Sequence, residues 1–188
     1  MKSLKQQHRE LFIEAGNARQ HYGIHHVLTN DVDVPHFVKA MERYESFFRV
    51  TITAQLYAVV IRLGKLFDKK NVSIPSLLKR LKKSHDANHT ILKDIDKKMK
   101  NLEPRIEKIF GVRHKALAHL SAHSSSKEIF DEAGMTDDDL DVLTRQSLEI
   151  LGDIGAFLDG PTVGEFSPTE DTTRGMLGEL TRFLRILE

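Results

Sequence analysis

Apolar residues recur at three- and four-residue steps along most of the chain, the period of one face of an α-helix. No stretch alternates apolar and polar positions as a half-buried strand does, and no Asn-Gly hairpin signal occurs. Leu4, Leu11, Phe12 and Ala15 place a first helix over residues 4–21, followed by a short turn-rich segment from Tyr22 to Pro35. Pro35 suits the first turn of a second helix, where its missing donor costs nothing. That helix, predicted from His36 to Asp68, carries Phe37, Met41, Tyr44, Phe47, Phe48, Ile52, Leu56, Val59, Val60, Leu63 and Phe67. Its length fits a central core helix or a dimer surface.

Ser73 reads as the N-cap of a short helix through Leu81. Residues Lys82 to Asn101 are polar and Lys-rich, with helix expected from Ala87. Glu103-Pro104 is expected to open a further helix reaching His123. Thr136, followed by Asp137, Asp138 and Asp139, predicts an N-cap with acids on the positive helix end, the helix running to Leu158. Residues 161–175 read as a loop, and Leu177, Leu180, Leu184 and Leu187 define a last helix over 176–188 packing on the rest. The expected organisation is one all-α helical domain over residues 1–160, then a loop and a C-terminal helix.

Composition narrows the class. At 188 residues with 40% apolar content, the chain can bury one core, and it has no Cys for disulfides or thiolate ligands. The longest uninterrupted apolar run, Leu56 to Ile61, is far short of a bilayer span, and no apolar region follows the polar first ten residues. A cytoplasmic protein without membrane association is the expectation.

The net charge of +1 conceals a strong asymmetry. Residues 62–115 hold 16 basic and 6 acidic side chains, whereas residues 116–188 hold 5 basic and 15 acidic ones. Such blocks either neutralise each other by packing or leave a basic face for a polyanion. The lysines from Lys79 to Lys100 lack interleaved aromatics, so phosphate contacts rather than base stacking would be their use.

Within the basic block stands Arg113-His114-Lys115-Ala116-Leu117-Ala118-His119. An imidazole that moves protons and a guanidinium that stabilises a phosphorane can together cleave RNA by attack of its own 2′-hydroxyl. Spacing alone carries little, since Arg19 and Arg80 also have a His four to six residues on. Arg113 differs in context, inside an amphipathic helix that follows a basic one. Three His pairs, His21/His25, His85/His89 and His119/His123, have the i, i+4 spacing of helical zinc ligands, but no thiolate accompanies them, and no metal site is expected. Phosphate-binding glycine loops and serine nucleophile elbows are absent.

Arg113, the polar His114, four further residues and His119 resemble the signature of the HEPN superfamily, the higher eukaryotes and prokaryotes nucleotide-binding domains. Residues 35–160 are similar to its abortive-infection, AbiU-like branch. The similarity runs through Ile61-Arg62-Leu63 to Phe67-Asp68, Ser73-Ile74-Pro75-Ser76-Leu77-Leu78, Ala118-His119, Phe130 and Met135-Thr136-Asp137-Asp138-Asp139-Leu140. The resemblance implies an all-α HEPN-like bundle that acts as a homodimeric, metal-independent endoribonuclease without cofactors, in a toxin or phage-defence setting with a cognate antitoxin. It implies His119 as general acid/base, Arg113 as phosphate anchor and His114 as an auxiliary donor. Asp68 would orient Arg113 or an imidazole, and Lys115, Arg105, Lys108 and Arg62 would contact RNA. Ser121 stands where related toxins carry a modifiable Tyr, so silencing by nucleotidylation is not expected. The alternatives are a HEPN-like binding and dimerisation module without turnover and, in a third class, a His-based metalloenzyme.

Overall fold

A computed structural model describes residues 2–30, 34–84, 89–119, 126–158 and 169–187. These form eight helices and no strand: α1 (Leu4–Thr29), α2 (Val34–Arg43), α3 (Glu45–Phe67), α4 (Ile74–Leu81), α5 (His89–His119), α6 (Ser126–Glu132), α7 (Asp137–Leu158) and α8 (Thr169–Leu187). The all-α bundle read from the sequence is therefore what the chain forms.

Local signals set most of the helix starts. Ser3 and Gln6 make a reciprocal capping box at α1, as do Ser73 and Ser76 at α4. At α7, Asp139 returns its carboxylate to the Thr136 amide at 3.1 Å while the Thr136 hydroxyl accepts the Asp139 amide at 3.2 Å. The turn after α6 needs Gly134, whose φ of +60° suits glycine. The amides of Gly134 and Met135 bond the carbonyls of Asp131 and Phe130 there, closing the α6 end.

Four boundaries differ from those expected, each for a packing reason. α1 continues eight residues past His21 because Tyr22, Val27 and Leu28 keep a buried face, and Asn30 then caps the end through the His26 carbonyl at 2.7 Å. The single helix expected over 36–68 is two, broken at Tyr44 (φ −122°, ψ 38°). The break lets α2 turn toward α8 while α3 packs on α1 and α5. Pro104 does not open a helix but lies inside α5. Both Pro104 and Lys100, whose carbonyl loses its intrahelical donor, are exposed, so water can satisfy that carbonyl. The apolar row Leu92, Ile95, Met99, Leu102, Ile106, Ile109 and Val112 runs through the proline unbroken. α8 begins at Thr169, so residues 169–175 of the expected loop are helical, while 161–168 lie outside the described residues. The short helix α6 had no counterpart in the sequence reading.

One core joins α1, α3, α4, α5 and α7 around Phe12, Leu63, Leu66, Phe67, Leu77, Leu81, Ile95, Ile109, Leu143 and Ile150. A smaller one, Val27, Leu28, Phe48 and Leu177, is closed by α8 lying against α1 and α2. Among the described residues, α3 alone is long and apolar enough to cross a membrane by length and composition, although no run within it reaches that length, because Thr51, Thr53 and Gln55 interrupt it. Its Val59, Val60, Leu63, Leu66 and Phe67 face the core of the bundle instead.

Candidate active site

The two motif ends lie on one continuous helix. α5 carries Arg113 and His119 in its last turns, and six helical residues separate them by about 120° around the axis and about 9 Å along it. The His119 backbone ends α5, and its side chain lies outside the described residues, as do Ser121 and His123. His114 is exposed and Arg113 half-buried.

Arg113 points toward α3. Its side chain crosses Gly64, so close that a Cβ added there would stand 2.8 Å from Arg113 Cδ and 3.4 Å from Nη1. Among the described residues it has no hydrogen-bonded or ion-paired partner. Asp68, one turn beyond Gly64, feels its positive charge. That carboxylate is occupied by its own loop, accepting the Lys70 amide and the Asn71 side-chain amide at 2.8 Å each. These two bonds, and after them the positive charge of Arg113, hold Asp68 below the ordinary carboxylate range.

The four cations expected to meet RNA each lie beside an acid of this chain. Arg62 pairs with Glu14 at 3.0 Å, sharing that acid with Lys65. Lys108 reaches Asp139 at 2.8 Å, and Arg105 Nε lies 3.1 Å from the same carboxylate, outside hydrogen-bond alignment. Lys115 pairs with Glu132 at 2.7 Å, and Lys98 with Asp153 at 2.8 Å. The basic and acidic blocks thus neutralise each other across α5, α6 and α7. By contrast Lys79, Lys83, Lys93, Lys97 and Lys100 stay exposed and make no ion pair among the described residues.

The remaining histidines serve the fold where they are described. His8 is fully buried, and its Nε2 donates to the Leu151 carbonyl at 2.7 Å. Burial holds its pKa below the ordinary imidazole value. His21 hydrogen-bonds Gln55, and His25, also depressed by burial, bonds the Ile52 carbonyl at 3.3 Å. His26 and the Tyr22 hydroxyl both meet Asp137, joining α1 to the start of α7. No group of three or more His, Asp or Glu among the described residues is arranged to hold a metal ion. The His21/His25 pair is thus engaged within the bundle, and the His85/His89 and His119/His123 side chains lie outside the described residues.

Two features of the site had been missed. Gly64 sits in the interior of an otherwise bulky helix, a placement that usually has a packing reason. The second is a stripe on the outer face of α3. Phe47, Val50, Ala54, Tyr57 and Ile61 follow four- and three-residue steps. Phe47, Val50 and Ile61 remain 62%, 65% and 56% exposed. Of the three phenylalanines of α3, Phe48 and Phe67 are core, and Phe47 points outward, edge-on to Phe48 at 5.3 Å. Continued by the same steps, the stripe reaches Asp68 and passes beside Gly64, so it ends at the place where Arg113 emerges.

A family model described as AbiU2, of the HEPN class, matches residues 1–167. No curated protein and no solved structure matches the chain.

Proposed function

From the premise that the chain belongs to the AbiU2 family of HEPN proteins, and so is an abortive-infection HEPN-like protein, we propose that it is a metal-independent endoribonuclease. It works in the cytoplasm as a homodimer with a composite site, as a toxin or phage-defence effector restrained by a cognate antitoxin. One observation carries the reading. Arg113 is half-buried without a carboxylate partner among the described residues, while Lys108 and Lys115 on the same helix are each paired. Among the described residues no side chain takes up its five donors, and a phosphate takes a guanidinium fork two bonds at a time.

In this mechanism the 2′-hydroxyl of RNA attacks the adjacent phosphorus as an imidazole removes its proton. The P–O5′ bond breaks, and the departing oxygen gains a proton. The products are a 2′,3′-cyclic phosphate and a 5′-hydroxyl. His119 carries the proton transfers, worth about 100- to 10,000-fold in rate. Arg113 binds the phosphorane oxygens, and His114 adds an exposed donor. With about 120° between them, Arg113 and His119 of one helix address a single phosphate poorly. A second copy lying along the α3 stripe brings another Arg113 and His119 to the same cleft. The four- and three-residue steps of Phe47, Val50, Ala54, Tyr57 and Ile61 are those of a helix-pairing seam.

A second reading has its own support. Arg62, Arg105, Lys108 and Lys115 all lie by acids of the same chain, which favours a HEPN-like module that binds a protein partner without cleaving.

The deciding experiment incubates the purified protein with end-labelled mixed-sequence RNA in EDTA, beside His119→Ala at matched oligomeric state. Cleavage by the wild type, reduced at least about 100-fold in the variant, is expected. Undiminished cleavage by His119→Ala would remove His119 from the mechanism. No cleavage by either protein, with Mg²⁺ or Zn²⁺ also supplied, would leave the binding module.

A further inference from the structure

Glycine is the poorest helix former after proline, yet Gly64 lies in the interior of α3 between the buried Leu63 and the pair Leu66 and Phe67. Backbone conformation does not require it, since the described positive-φ glycine is Gly134. What requires it is space. The aliphatic part of Arg113 lies across the bare Cα, with Cδ 2.8 Å, Nη1 3.4 Å and Nε 3.6 Å from where a Cβ would stand. The first distance is well inside van der Waals contact, and Cδ is in the middle of the side chain rather than at its free end.

We infer that Gly64 is a positioning residue for Arg113: the missing side chain forms a slot in α3 that fixes, by shape alone, where the guanidinium emerges. The inference rests on the ribonuclease reading for its consequence and on the packing for its geometry. Shape matters here because the usual way to fix an arginine is a carboxylate, as Glu14 does for Arg62. A carboxylate consumes the donors that it orients. A glycine slot holds the aliphatic stem and leaves every N–H for phosphate. Asp68 complements the slot from one turn on, attracting the positive charge while its own oxygens are taken by Lys70 and Asn71.

The test is Gly64→Ala in the full-length protein, with Gly178→Ala as a helix-glycine control, since a Cβ at Gly178 meets nothing within 4 Å. Displacing a positioned group by about 1 Å can cost on the order of 100-fold. In Gly64→Ala the kcat for RNA cleavage should therefore fall about 10- to 100-fold while KM stays near that of wild type, and Gly178→Ala should leave both unchanged. The Arg113 Nε–Hε resonance in ¹⁵N spectra, assigned by its loss in Arg113→Ala, should shift in Gly64→Ala alone. Unchanged kcat with an unmoved resonance overturns the inference. If wild type does not cleave RNA, the ribonuclease reading fails, and the resonance still decides whether Gly64 places Arg113. If Gly64→Ala does not fold, the double variant with Arg113→Ala should fold, because the shorter side chain vacates the slot. Failure of that variant too would assign Gly64 to helix packing and overturn the inference.

Discussion

Asp139 offers the sharpest test of how the bundle fixes the motif helix. Its carboxylate is 6% exposed and accepts the Thr136 amide at α7's start and Lys108 Nζ of α5, with Arg105 Nε at 3.1 Å. The two cations are 35% and 34% exposed. Asp139→Asn keeps the shape and removes the charge. Breaking a fully buried pair costs about 3–5 kcal/mol and an exposed one about 0.2–1 kcal/mol. Here the acid is buried and the cations can turn to water, so about 2 kcal/mol is expected between those limits. For a chain of this size that is a fall in Tm of roughly 4–8 °C. The matched control is Asp96→Asn, whose pair with Lys82 is 46% exposed on both sides, and it should move Tm by less than about 4 °C. Burial alone would raise the Asp139 pKa, but Lys108 and the Thr136 amide outweigh it and hold the carboxyl below its ordinary value. Its contribution is therefore fully present above the ordinary range near pH 4. It disappears as pH falls through the lowered value, so the gap between wild type and Asp139→Asn should be constant from pH 7 to 5 and close below about pH 4. Thermal melts at fixed protein concentration measure all of this. Equal Tm shifts for Asp139→Asn and Asp96→Asn would refute the reasoning that burial sets the cost.

Two further expectations concern glycine and the α3 stripe. Gly134→Ala should destabilise by about 1–2 kcal/mol, because φ is +60° although the space is empty, while Gly178→Ala in α8 should stabilise by up to about 1 kcal/mol; denaturant melts showing the same sign for both would contradict this. Val50→Glu combined with Ile61→Glu should convert a dimer to a monomer by light scattering and abolish RNA cleavage with the fold intact by circular dichroism. A dimer that survives both charges would displace the seam from α3.

Helix content was legible because the chain repeats its apolar positions with helical period and marks its starts with Ser73 and Thr136. Boundaries were less so, because the deciding partners are distant in sequence. Residues 22–29 look turn-like alone, yet Val27 and Leu28 find Phe48 and Leu177. Pro104 reads as a helix start locally, but the row from Leu92 to Val112 overrides it at the modest cost of one exposed carbonyl. At Tyr44 the opposite holds. The apolar spacing continues through the residue, and only the different destinations of α2 and α3 explain the break.

The charge blocks show why the candidate site needed both sequence and packing. Lys108 and Lys115 lie about 140° and 160° around α5 from Arg113, on the sides that meet α6 and α7, where the acidic block supplies Asp139 and Glu132. Arg113 faces α3, and from Ser46 to Phe67 α3 contains no acid at all. The α1 carboxylate that does reach α3, Glu14, is already shared by Arg62 and Lys65. The absence of acids was visible in the sequence, but it had no meaning until α3 was placed against α5. Once it is, an arginine without a partner among the described residues follows from composition: the bundle neutralises the cations that it buries against α6 and α7, and leaves over the one that it lays on glycine.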